Sequence, residues 1–77
     1  METTITRPLS EVADGQTVNI IRIDGGRGMR VRLTSLGLLP NTQVTVVHNG
    51  RSGPFVISVK NSKMALGRGV ADKIVVS

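Results

Sequence analysis

The sequence contains no cysteine, tryptophan or tyrosine, and Phe55 is its only aromatic residue. Without cysteine there is neither a disulfide framework nor a thiolate metal site, and nothing points to an oxidising compartment. One aromatic ring is too few for the stacking platforms that hold single-stranded nucleic acid. Apolar residues run in pairs and triplets at most, such as Ile20-Ile21 and Ile74-Val75-Val76. A membrane helix needs roughly 20 in succession. The N-terminus has no basic region and no apolar run, so no signal peptide is expected. Metal-binding side chains are also sparse. His48 is the only histidine, and Glu2, Glu11, Asp14, Asp24 and Asp72 are scattered along the chain. A metal centre requires converging nitrogen, sulfur or carboxylate ligands. No cofactor is therefore expected; at most, His48 supplies one ligand to a weak divalent-metal site shared with a partner or a second copy. Catalytic pairings are missing in the same way. There is no thiol or phenol, no serine set beside a histidine and an acid, and no spacing that pairs two carboxylates. The chain is not expected to be an enzyme.

What is present is short and basic. A chain of 77 residues makes one domain, residues 1–77. At this size only about 60–65% of the unfolded surface is buried, which leaves little core for a deep pocket. Ten Lys/Arg against five Asp/Glu give a formal charge of +5. Such an excess suits an anionic partner surface. These features predict a soluble, cytoplasmic domain without direct membrane insertion.

Residues 1–7 are polar and unpatterned, which predicts a frayed start. Leu9 and Val12 are three apart and suggest one turn of helix, closed by Asp14-Gly15. Residues 16–23 read as a long strand rich in β-branched side chains. Val18 and Ile20 face one way, whereas Ile21 and Ile23 face the other. That change of parity implies a bulge or a barrel corner. After a glycine-rich loop, Met29, Leu33 and Leu36 recur at helical spacing and predict a two-turn helix over 29–36. Arg27, Arg30 and Thr34 then fall on the opposite side, with Arg32 at the border. Gly37 is placed for a left-handed helix cap. Pro40 and Asn41 suit the second and third positions of a turn. Strands are expected over 43–48, 54–60, 63–66 and 73–76. A hairpin loop over 49–53, a tight turn at Asn61-Ser62, and a turn or single helical turn over 67–72 would connect them. The sum is a mainly β fold of five short strands with one helix inserted after the first. This fits a small SH3-like barrel better than an OB-fold, which usually places its helix after the third strand.

Gly25-Gly26-Arg27-Gly28 is not a phosphate loop. Met29-Arg30 stands where a Walker loop needs lysine and a hydroxyl residue, and the dinucleotide fingerprint also fails. Arg27, Arg30 and Arg32 form the densest positive cluster, and the arginine fork binds carboxylates bidentately. Leu38 and Leu39 are adjacent and do not easily both turn inward. One of them is expected to stay exposed as part of an apolar lip beside Pro40. The candidate partner-binding residues are therefore Arg27, Arg30, Arg32, Leu38, Leu39 and Pro40. An exposed lip also permits weak self-association.

Several segments resemble the FeoA family. They are Leu9-Ser10-Glu11-Val12 followed by Asp14-Gly15-Gln16, and Val18-Asn19-Ile20-Ile21-Arg22-Ile23 ahead of a glycine-bearing loop. The strongest is Arg30-Val31-Arg32-Leu33-Thr34-Ser35-Leu36-Gly37-Leu38-Leu39-Pro40. Gly53-Pro54, Ala65-Leu66-Gly67-Arg68 and Ala71-Asp72-Lys73-Ile74 complete the pattern. Asn41 and Asn61 stand where the family often has glycine, and asparagine tolerates the same left-handed backbone. The resemblance implies an SH3-like barrel and a cytoplasmic role beside FeoB, the ferrous-iron membrane transporter with a G-protein domain. No nucleic-acid partner is expected. A basic nucleic-acid-binding or regulatory module is the alternative reading, and it predicts affinity that falls steeply with salt.

Overall fold

The change of parity at Ile20-Ile21 is the corner on which the sheet turns. In the computed structural model, which describes residues 5–50 and 53–77, strand β2 (Thr17–Ile23) pairs with two different neighbours. Its first half, Thr17 to Asn19, pairs with β3 (Gln43–Asn49). Its second half pairs with β6 (Ile74–Val76), and the register slips between Ile20 and Arg22. Ile21 is the extra residue of the bulge, which bends the strand and increases its twist.

Two hairpins extend the sheet from β3 through β4 (Phe55–Val59) to β5 (Ser62–Leu66). Lys60 and Asn61 form the second turn, both with positive φ (49° and 69°). This places the turn one residue earlier than the sequence suggested and matches the primed turns that follow strand twist. On the other side, β1 (Arg7–Pro8) pairs with Val76 and Val75 of β6. The strand order is β1-β6-β2-β3-β4-β5. A frayed segment reaching residue 7 is thus corrected at Arg7, which is tied into a strand; residues 1–4 lie outside the described ones. The hairpin loop expected over 49–53 likewise includes residues 51–52, which lie outside them. The result is the expected SH3-like barrel, with a sixth strand of only two residues added to the predicted five.

Two helices are inserted: α1 (Arg27–Ser35) and α2 (Arg68–Lys73), besides a 3-10 turn at Leu9–Glu11. Neither is long and apolar enough to cross a membrane. Among the described residues the core is wholly apolar: Phe55, Ile57 and Val59 alternate inward along β4 and meet Ile20, Val44, Val46 and Val76. Leu9, Val12 and Ala71 close the bottom, and Leu33 and Leu38 anchor α1. Among the described residues no buried side-chain polar atom lacks a hydrogen-bond partner. At about 25 cal/mol per Å² of apolar area, this core is the main favourable term of folding.

Candidate functional site

Helix α1 starts at Arg27, two residues earlier than the apolar spacing indicated. Gly26 is its N-cap and makes no side-chain capping bond; the first turn is closed by the Arg30 amide donating to the Gly26 carbonyl, 3.0 Å. The C-terminus is built with more definition. The Gly37 amide donates to the Thr34 carbonyl (3.0 Å) and the Leu38 amide to the Leu33 carbonyl (2.9 Å), with Gly37 at φ 90°. This is the Schellman arrangement, and its hydrophobic clasp joins the residue after glycine to the third-last helical position. Here those residues are Leu38 and Leu33, both buried.

That clasp decides the fate of the two adjacent leucines. Leu38 is fully buried, while Leu39 keeps 40% of its surface exposed. Leu38 is therefore removed from the candidate docking residues: it holds the corner in place from within the core. Leu39 begins the next turn. The Thr42 amide donates to the Leu39 carbonyl (3.0 Å), with Pro40 second and Asn41, φ 71°, third. The geometry expected of Pro40-Asn41 is present, and it fixes Leu39 and Pro40 on the surface.

The apolar stripe of α1 is narrower than its spacing suggested. Leu33 is buried and Met29 half-buried, but Leu36 is exposed at 48%. Leu36 occupies the C-cap, where the chain leaves the helix. Val31 is more exposed still, at 62%. Sequence reasoning overlooked it, although Arg27, Val31 and Thr34, spaced four and three apart, share the polar face. An apolar residue on a polar face is a signal that helical periodicity alone could have supplied.

The structure divides the arginines between two flanks of this ridge. Arg30 and Pro40 come together with Arg22, Ile23 and Thr34 around a groove of about 220 Å³. Arg32 lies on the other flank, with Met29, Leu33 and Leu36, and lines a larger cleft of about 380 Å³ that is closed by Leu66 and Val70. Arg27 lines neither hollow. All three arginines are exposed. Among the described residues Arg22 forms an ion pair with Asp24 (2.9 Å) and the His48 ring lies 3.8 Å from Asp14, and none of the three α1 arginines has a carboxylate partner. The surface combines exposed cationic forks with Val31, Leu36 and Leu39, and it suits a protein surface that carries both carboxylates and apolar side chains.

His48 is exposed near the end of β3, and among the described residues Asp14 is its one acidic neighbour within 4 Å. Among the described residues no three His or acidic side chains converge as a metal-holding group. A second polar centre was not foreseen. Asn49 is half-buried, and its amide nitrogen donates to the carbonyls of Ser10 (3.0 Å) and Val12 (2.7 Å). Its side-chain oxygen accepts from Arg68 (2.7 Å), and its backbone N–H donates to Asp14 (2.6 Å). Arg68 also donates to the Gly50 carbonyl and lies over the Phe55 ring, 5.9 Å from its centre. Ser10 in turn donates to Asp72 of α2. This network ties the 3-10 turn, β3 and α2 together. Its members are up to 62 positions apart, so spacing could not reveal it.

Comparison with known proteins agrees with this architecture. The FeoA domain family matches residues 7–77. A protein of Methanocaldococcus jannaschii described as a candidate Fe(2+) transport protein A is 41% identical over 69 residues, covering 90% of this chain and 83% of that protein. The crystal structure of an iron uptake regulatory protein, FeoA, superposes with a TM-score of 0.86 at 34% identity, covering 96% of this chain and 97% of that one. A manganese-dependent transcriptional repressor contains the same fold, with a TM-score of 0.87 at 25% identity over 97% of this chain but only 42% of its own. With the family match running through every element from β1 to β6, and a relative of this identity over most of both lengths, the chain belongs to the FeoA family.

Proposed function

We propose that this protein is a cytoplasmic accessory of ferrous-iron uptake that binds the cytoplasmic part of a FeoB-type membrane transporter and supports its activity. Family membership and the relative described for Fe(2+) transport support the iron-uptake role. The observation that carries the docking role is the ridge of α1: Arg27, Arg30 and Arg32 without carboxylate partners among the described residues, next to exposed Val31, Leu36, Leu39 and Pro40.

The division of labour follows from magnitudes. Full burial of a leucine is worth about 1.5–3 kcal/mol, so the exposed remainder of Leu39 or Val31 offers roughly 1 kcal/mol each. Those side chains supply modest affinity. The arginines set encounter rate and orientation, and a bidentate carboxylate contact adds roughly 1.5–3 kcal/mol where it is desolvated. Binding assayed by pull-down with the purified cytoplasmic part of the transporter tests the proposal. Arg30→Glu and Leu39→Ala should each weaken capture while circular dichroism stays unchanged. Undiminished capture by both variants would remove this surface from the account.

A further inference from the structure

The sheet ends at β5, and among the described residues that edge has no strand beside it. Which backbone groups it presents follows from the hairpin. Lys60 and Asn61 form a two-residue turn, so Val59 and Ser62 close it as a hydrogen-bonded pair. Pairs then alternate, and Lys63 opposite Ser58 and Ala65 opposite Val56 are the non-hydrogen-bonded ones. The N–H and C=O of Lys63 and Ala65 therefore point away from β4, toward the open side. Among the described residues neither makes a backbone hydrogen bond outside the hairpin.

The larger cleft lies at the C-terminal end of this edge. It touches both Ala65 and Leu66, whose side chains point to opposite faces of the strand. A hollow that meets both must sit against the strand's side near its end. Its far wall is α1, through Met29, Leu33 and Leu36, with Arg32 as its one charged lining residue. Its volume of about 380 Å³ is within the roughly 300–1,000 Å³ of ligand clefts. No carboxylate lines it, Lys63 is exposed on the edge itself, and the chain carries +5 overall.

We infer that the β5 edge is a strand-addition site: it takes an extended segment of a partner protein, with carboxylates flanking an apolar side chain, laid between β5 and α1. The incoming backbone pairs with Lys63 and Ala65, its apolar side chain enters the cleft over Leu66 and Val70, and its carboxylates meet Lys63 and Arg32. Backbone pairing supplies affinity and the cleft supplies selectivity, as in other strand-addition recognition. A second copy of this chain is the poorer occupant. Its own edge would bring Lys63 toward Lys63, and exposed edge lysines disfavour self-pairing in this way. Arg32 is shared with the docking ridge of α1, but Ala65 and the β5 backbone are not, so the two surfaces separate experimentally.

The test is an amide-resolved NMR titration of the intact protein with a short synthetic peptide that alternates glutamate and valine around a central leucine. Saturable shifts are expected at Lys63, Ala65, Leu66 and Val70, with slowed hydrogen exchange at the Lys63 and Ala65 amides. Ala65→Pro removes one outward N–H without touching the pairing to β4, and should weaken the peptide at least about tenfold. Arg32→Glu should weaken it by about the same factor. Should Ala65→Pro fail to fold, the same peptide N-methylated on its pairing edge reads the same hydrogen bonds from the ligand's side, and it should not bind. Leu39→Ala should leave the peptide's affinity unchanged, which keeps this result distinct from transporter docking. Absence of saturable shifts on β5 at millimolar peptide, or equal binding by the N-methylated peptide, overturns the inference. Concentration-dependent shifts at Lys63 and Ala65 without peptide would make the occupant a second copy and also overturn it.

Discussion

Leu38 and Leu39 are neighbours in sequence with opposite roles. Leu38→Ala should cost about 2–5 kcal/mol in urea denaturation, the usual range for emptying a sealed core position. Leu39→Ala should stay within about 0.5 kcal/mol, because its loss is at the surface. The adjacency of the pair pointed to one of them staying outside, although adjacency does not force it: Ile74, Val75 and Val76 are all buried. Which one was also encoded, because a glycine cap directs the following residue back onto the helix, and Gly37 is followed by Leu38. Gly37 itself needs φ 90°, and a Cβ added there would meet no atom within 4 Å. Gly37→Ala should therefore cost about 1–2 kcal/mol from backbone strain alone, with no steric part, again read by denaturation. Asn41 and Asn61 show the same logic from the other side. Both take positive φ, as their turn positions required, in places where glycine would serve equally well.

Strands and turns with strong local chemistry were readable: the bulge at Ile21, the Pro40-Asn41 turn and the alternation of Phe55, Ile57 and Val59. Elements set by distant partners were not. β1 is an Arg-Pro dipeptide that becomes a strand because β6 offers it an edge. The start of α1 lacks a capping side chain, so no local signal marked Arg27. The expected stripe residue Leu36 lies on the cap, beyond the last helical residue, and leaves the core. The Asn49 network is the clearest case, because one side chain joins three segments remote in sequence. Asn49→Ala would leave the Ser10 and Val12 carbonyls and the Arg68 guanidinium without this partner. It should cost about 1–3 kcal/mol. Hydrogen exchange should then speed up first in the 3-10 turn and α2, while the β3–β4 hairpin stays protected.

The molecule as a whole is an apolar barrel that displays a basic ridge, and each of its three aspartates has a partner other than the α1 arginines. Asp14 sits with His48, Asp24 with Arg22, and Asp72 with Ser10. The arginines of α1 are thereby left without carboxylate partners among the described residues, and they remain available to an acidic partner. Such an encounter is screened within about 8 Å at physiological ionic strength, so raising salt should slow association with the transporter more than it speeds release. The most direct test is the affinity of the intact protein for the cytoplasmic part of a FeoB-type transporter, measured by titration calorimetry for the wild type and for the double variant Arg30→Glu with Leu39→Ala. The account predicts a loss of at least about tenfold in the double variant, with its denaturation midpoint preserved. Equal affinity in a variant that remains fully folded would contradict it.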